Sequence, residues 1–465
     1  MTVSLELADL QGLVVRGYGS LRAACFLLLR LDDPAASTPL ARLVRLVTSG
    51  SSTPAASAVN IAFSWEGLRR LGLPRDALAG FPPEFASGMT DPARSRFLGD
   101  VGNRAPASWA WGGPSTASVD VLLLIYGRDQ QVLQQMLEEI RGSLTGVTEV
   151  ARLPAAELPA RGTDGFREPF GFRDGISQPL IEGLPKAASG PDVVRAGEFI
   201  LGYPNEYGLL TDRPMLPAPL DPAGLLPRDP ANPGQADLGC NGSYLVLRQL
   251  AQDVDGFRRH LEEATRAADG SSDPVRAAAL GAKMVGRWPS GAPVVLTPDH
   301  DKPELAGENE FGYHHTDPAG LACPLGAHIR RANPRDSLDP QPGTTQSLAV
   351  NHRHRLVRRS RSYDAPADGA PGERGLYFIC LNGNLTRQFE FVQHTWLNNP
   401  NFNGLQDDAD PLVGPRHPHG ATFTRQALPV RERFMGLPEF VAVRGGGYFF
   451  LPGLRVLRYL AGGPA

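Results

Sequence analysis

The chain has 465 residues, 42% hydrophobic and 20% charged, with a formal net charge of −3. Such a length and composition describe a globular protein with room for two or three domains. The near-neutral balance excludes the global basic field that attracts nucleic acid.

The first residues, Met1 to Asp9, show no basic n-region, no apolar h-region and no twin arginine, which predicts a cytoplasmic protein. Residues 23–31 form an apolar run that reads as a buried strand, followed by Leu40, Leu43, Val44 and Val47 at helical spacing. Residues 58–63 and 119–126 read as two more strands. A helix follows, with Leu133, Met136, Leu137 and Ile140 on one face, then a shorter strand at 147–153. The longest apolar runs, 23–29 and 121–126, fall far short of the ~20 residues a membrane helix needs.

The second half repeats the order. Residues 244–250 read as a strand, and Asp253-Val254-Asp255 opens a helix carrying Phe257, Leu261 and Ala264. Residues 375–381 form a strand, with a helix from about 385 to 396. The last strand lies in 440–451 and is interrupted by Gly445-Gly446-Gly447. Strand–helix–strand twice per half is the order of a ferredoxin-like βαββαβ unit, so the predicted fold class is α+β with two such units. Spacing alone leaves a single large α/β sheet open. A proline-rich connector at 204–234 places the boundary, giving domains 1–213 and 214–465. Residues 364–372 read as a polar loop.

Four cysteines, Cys25, Cys240, Cys323 and Cys380, lie far apart and form no C-x-x-C. That leaves zinc ribbons, dithiol redox pairs and covalent c-type haem unsupported. Three histidine pairs, His314/His315, His352/His354 and His417/His419, are close enough for a divalent metal but lack a completing ligand set.

Two segments carry the chemistry. Gly171-Phe172-Arg173-Asp174-Gly175 puts a carboxylate on a glycine-flanked turn. Cys323-Pro324-Leu325-Gly326-Ala327-His328-Ile329-Arg330-Arg331-Ala332-Asn333-Pro334-Arg335 puts one histidine in a basic, proline-stopped stretch. Leu356-Val357-Arg358-Arg359-Ser360-Arg361-Ser362-Tyr363 adds an arginine-rich strand. A carboxylate, a lone histidine and an arginine are what a haem enzyme needs to split peroxide. Taken singly, each also has an ordinary structural use: a turn cap, a packed histidine, a strand edge guarded by charge.

Together these segments resemble the dye-decolorizing peroxidases, a haem family. Gly-Phe-Arg-Asp-Gly resembles that family's GxxDG signature, the Cys323–Arg335 stretch its proximal-histidine segment, and the Leu356–Tyr363 stretch its distal-arginine strand. Gly-Leu-Tyr-Phe-Ile-Cys-Leu, Gln-Phe-Glu-Phe-Val-Gln and Gly-Gly-Gly-Tyr-Phe-Phe-Leu-Pro match in character and order, from about Asp9 to Ala461. The resemblance implies duplicated ferredoxin-like units and one non-covalent haem b per chain, bound mainly by the C-terminal half. It implies His328 as the axial iron ligand, with Asp174 and Arg358 on the opposite side. Glu390 would accept the proximal imidazole's hydrogen bond. Tyr363 would be a surface electron relay, with Trp396 and Tyr377 as alternatives. The implied activity reduces hydrogen peroxide and oxidises dyes, phenols or other one-electron donors through an oxoferryl intermediate. A haem carrier or iron-recovery protein is the alternative. The sequence leaves open a homo-oligomer, an encapsulating partner and the use of Mn(II). An aspartate ordinarily ionises near ~3.9 and a histidine near ~6.5. A distal aspartate therefore predicts dye oxidation favoured by acid.

Overall fold

The apolar run at 23–31 becomes a strand with both faces covered. The computed structural model describes residues 3–32, 37–159, 166–185, 190, 192–364, 372–416 and 421–462. In it, Ala23–Leu31 (β1) is buried along nearly its whole length. Cys25, Leu27 and Leu29 pack into one core; Ala24, Phe26 and Leu28 pack into another on the opposite face, as the twofold period of a strand requires.

Ser57–Phe63 (β2), Val121–Gly127 (β3) and Val147–Pro154 (β4) complete the first set, in the order β4-β1-β3-β2. The second set is Ser243–Gln252 (β5), Val357–Arg358 (β6), Arg361–Asp364 (β7), Arg374–Asn382 (β8) and Val441–Leu451 (β9). It runs β6-β8-β5-β9, with β7 also on β8. The pair Phe450–Phe63 joins β9 to β2. One nine-stranded antiparallel sheet therefore spans both halves, and the fold is mixed α/β around it.

Aspartate caps start the principal helices. Asp129 accepts from Val132 N at the head of Gln130–Arg141 (α1), Asp253 from Gly256 N at Val254–Ala264 (α2), and Asp273 from Arg276 N at Pro274–Val285 (α3). Helix α1 lays Leu133, Leu137 and Ile140 on the core shared with Leu27. The sheet face carrying Leu250, Leu376 and Phe378 instead faces a cavity. Among the described residues no helix is long and apolar enough to cross a membrane.

Three expectations change. The helix expected at 385–396 is two π-helical turns, Thr386–Glu390 and Val392–Leu397, a widening often found near functional sites. The glycine triplet does not break β9. It marks a bulge after Val443, and a Cβ on Gly445 would collide with the Trp111 ring. The proline-rich connector is folded: Leu216 and Leu226 are buried in the core that also holds Leu27. Residues 365–371 of the predicted polar loop, and His417 and His419, lie outside the described residues.

Candidate active site

The cavity against β5 and β8 holds about 1550 Å³ of empty space, counting its mouth. Its walls are mostly apolar, with Phe170, Phe172, Ile329, Phe378, Val392 and Leu412 among them, and His328, Asp174 and Arg358 all line it.

His328 opens the short helix His328–Ala332 (α4). The turn before it closes through Ala327 N donating to Pro324 O at 3.0 Å. The flanking arginines are buried fasteners rather than surface charges. Arg330 donates to Asp317 Oδ2 and Cys323 O, and Arg331 to Gly326 O, Trp396 O and Asn399 O. They fix α4 from both sides. His328 Nδ1 donates to Asp410 Oδ2 at 2.9 Å, and Asp410 is fully buried. Asp410 Oδ1 accepts from Leu412 N and Val413 N, both at 2.9 Å. Burial pushes the His328 pKa down, but the Asp410 charge and hydrogen bond outweigh it, so the net shift is upward. Burial likewise pushes Asp410 up, and its imidazole and backbone partners bring it below the ordinary aspartate value. The pair fixes the tautomer and leaves Nε2 as the nitrogen free for other chemistry.

Asp174 sits on a turn that needs its two glycines: Gly171 has φ +100° and Gly175 φ +78°, conformations costly for other residues. Arg167 and Arg173 bridge across the turn, and Asp174 N donates to Phe166 O at 3.0 Å. Asp174 Oδ1 accepts from Gly175 N at 2.6 Å and lies 3.7 Å from Arg358 Nη2. Arg358 N in turn donates to Gln178 Oε1 at 3.0 Å. The charges of Arg358 and Asp174 both act on His328.

Further arginines, Arg173, Arg287, Arg335 and Arg355, line the same cavity. Arg335 stacks 3.8 Å from the Phe311 ring centroid and donates to Asn309 Oδ1. Arg287 donates to Gly291 O and Glu308 O, and burial pushes it down to about 10. Arg355 pairs with Asp192 at 2.7 Å. The buried Gln252 Oε1 and Tyr313 Oη have no partner among the described residues, and both residues face the cavity.

Two assignments need correction. Glu390 does not accept from His328; Asp410 does. Glu390 is held elsewhere, taking Arg94 Nη1 on both oxygens at 2.6 Å and Tyr448 Oη at 2.7 Å. Tyr363 is not at the surface. It is 2% exposed, stacks on Tyr377 at 4.6 Å, and donates to Glu373 Oε1 at 2.9 Å. Trp396 is also buried, edge-on to His354 and Phe391. Among the described residues no group of three or more His, Cys, Asp or Glu has metal-binding geometry. The four cysteines are free thiols.

No family model matches the chain. Individual relatives do. A dye-decolorizing peroxidase of Exidia glandulosa is 31% identical over 98% of this chain and 87% of its own length. One from Mycena epipterygia is 32% identical over 88% of this chain and 77% of its own length. A solved dye-decolorizing peroxidase in complex with 2,6-dimethoxyphenol superposes with a TM-score of 0.78. It is 28% identical, over 98% of this chain and all of the other. The chain belongs to the dye-decolorizing peroxidase family. It is a peroxidase, an oxidoreductase with peroxide as acceptor, which decides between the enzyme and the haem carrier.

Proposed function

We propose that this cavity would hold one non-covalent haem b through His328 Nε2, with Asp174 and Arg358 as the residues that would act on peroxide. The observation that carries the reading is the cavity's donor set. A histidine backed by a buried carboxylate shares an apolar-walled space with a carboxylate–guanidinium pair. The cations lining that space outnumber its anions, Glu168 and Asp174, which suits a flat apolar cofactor with carboxylate arms. Arg287, Arg335 and Arg355 would meet those arms. Haem supplies the electron acceptance and delivery that no side chain here can provide.

The remaining work falls to the protein. Asp410 holds the His328 proton on Nδ1 and strengthens the imidazole as a donor. The Asp174 carboxylate takes a proton from one oxygen of hydrogen peroxide and returns it to the other, so that water can leave. Arg358 opposes the negative charge gathering on the departing oxygen. The apolar walls exclude bulk water and make that opposition stronger.

The donors in this reading are dyes, phenols and other one-electron reductants. Tyr363, although buried, would pass electrons through its stack with Tyr377, whose strand neighbours Leu376 and Phe378 line the cavity on the opposite face of β8. The two strand orders, β4-β1-β3-β2 and β6-β8-β5-β9, support reading the halves as duplicated ferredoxin-like units, divided near residues 213 and 214.

His328→Ala tests the ligand. Haem content should fall or the histidine-ligated absorption spectrum should disappear. Full haem with an unchanged spectrum would remove His328 from this role.

A further inference from the structure

The glycines permit the Asp174 turn, but a side chain holds it. Glu168 lines the cavity. Its Oε1 accepts from Phe172 N and its Oε2 from Phe170 N, both at 3.0 Å. Its own backbone closes the same loop: Glu168 N donates to Phe172 O at 3.0 Å, and Gly171 N to Glu168 O at 2.8 Å. One residue thus fastens the loop from inside, and that loop ends at Phe172, two positions before Asp174. A third bond ties it to the sheet: Gln252 Nε2, at the end of β5, donates to Glu168 Oε2 at 2.7 Å.

A carboxylate is costly in such a place. Burial pushes Glu168 above the ordinary range, while Gln252 and the two backbone donors pull the other way, and the Asp174 charge adds to the rise. A turn that needed only shape could be closed by a neutral side chain without this cost. Only an ionised carboxylate presents two acceptor oxygens to two diverging N–H groups and keeps a lone pair for a third donor. The amide of a glutamine would set an N–H against one of them.

We infer that Glu168 is a positioning residue for peroxide cleavage: it pins the Phe170 and Phe172 amides to β5 through Gln252 and thereby sets the orientation of Asp174. The inference rests on Asp174 being the proton-moving carboxylate. Positional error at a catalytic group is expensive, because proton transfer requires hydrogen-bond reach of ~2.6–3.2 Å.

The test is a double-mutant cycle on the haem-loaded protein: wild type, Glu168→Gln, Asp174→Asn and the double variant. Two rates are measured per haem: reaction with hydrogen peroxide, and association of cyanide. Cyanide must shed a proton on binding yet is not turned over. Glu168→Gln should slow both by about tenfold, a typical coupling for residues in one hydrogen-bond network. In the Asp174→Asn background it should add almost nothing. Gln252→Leu, which leaves the turn intact, should give a smaller loss of the same kind. Wild-type rates in Glu168→Gln would overturn the inference, as would equal losses in both backgrounds. Wild-type rates in Asp174→Asn would instead overturn the role of Asp174 itself.

Discussion

Adjacent arginines in this chain have opposite uses. Arg358 reaches Asp174 within the cavity. Arg359 points the other way, donating to Leu13 O at 2.7 Å and Val14 O at 2.9 Å, and burial pushes its pKa down to about 10. Arg358→Leu should therefore slow the peroxide reaction by roughly 10²–10³ with haem retained, the usual cost of one lost charge-stabilising donor. Arg359→Leu should lower the melting temperature, because each orphaned buried carbonyl costs ~1–3 kcal/mol, and leave the peroxide rate per haem unchanged. Stopped-flow and thermal melts separate the two. The Asp410–His328 bond makes a distinct prediction. With His328 holding iron as proposed, Asp410→Asn would remove the charge that enriches the imidazole, and the reduction potential of that iron should rise; a spectroelectrochemical titration showing no rise would refute it. That His328, Asp174 and Arg358 belong together was legible because short, unusual local patterns surround each, and all three line one cavity. Asp410 was not. Its partner lies 82 residues away, and Asp407, Asp408 and Asp410 look alike in a polar turn.

At the level of elements, the strands were the legible part. Runs such as 23–31 and 121–127 are apolar because both sheet faces are covered, and nothing competes with that signal. The π-helical stretch was read as an ordinary helix because its apolar spacing does not record the extra residue per turn. The Glu390 assignment failed with it. Glu390 sits where Arg94 and Tyr448 converge, so it fastens this stretch to the Pro92–Leu98 helix and to β9. Glu390→Gln should destabilise the protein by about 1–3 kcal/mol, since it weakens the charge-assisted bond to Arg94. Haem absorption should not change. Tyr363 tests another element, the β7–β8 pair. Tyr363→Phe keeps the stack on Tyr377 but loses the proton contact with Glu373. If electrons leave by this route, turnover of a large anthraquinone dye should fall more than that of a small phenol. Equal losses on both would assign the tyrosine to packing.

Across the whole molecule, acid acts in two directions. In the proposed reading, acid favours dye oxidation. Stability runs the other way at His354. Its ring stacks on Phe391 at 3.9 Å, and its Nδ1 donates to Arg387 O at 2.6 Å. Burial, with repulsion from Arg387 and Arg353, pushes its pKa down to about 4, against the pull of that carbonyl. The folded-state value lies below the unfolded one, so the unfolded chain takes the proton first. The stabilising contribution is present above the unfolded value of ~6.5 and is lost as pH falls towards 4, at up to roughly 1.4 kcal/mol per unit. Buried carboxylates with raised values, such as Glu198 and Asp408, partly offset this by favouring the folded state as they protonate. The working range should thus be bounded on the acid side by unfolding rather than by chemistry. His354→Phe retains a stacking ring and removes the titration. Its melting temperature should fall less than that of wild type between about pH 7.5 and about pH 5. Its half-life in acid should lengthen, with the initial dye rate unchanged. If the two proteins lose the same amount over that interval, the acid limit belongs to another buried imidazole. His260, also depressed by burial, would be the next to replace.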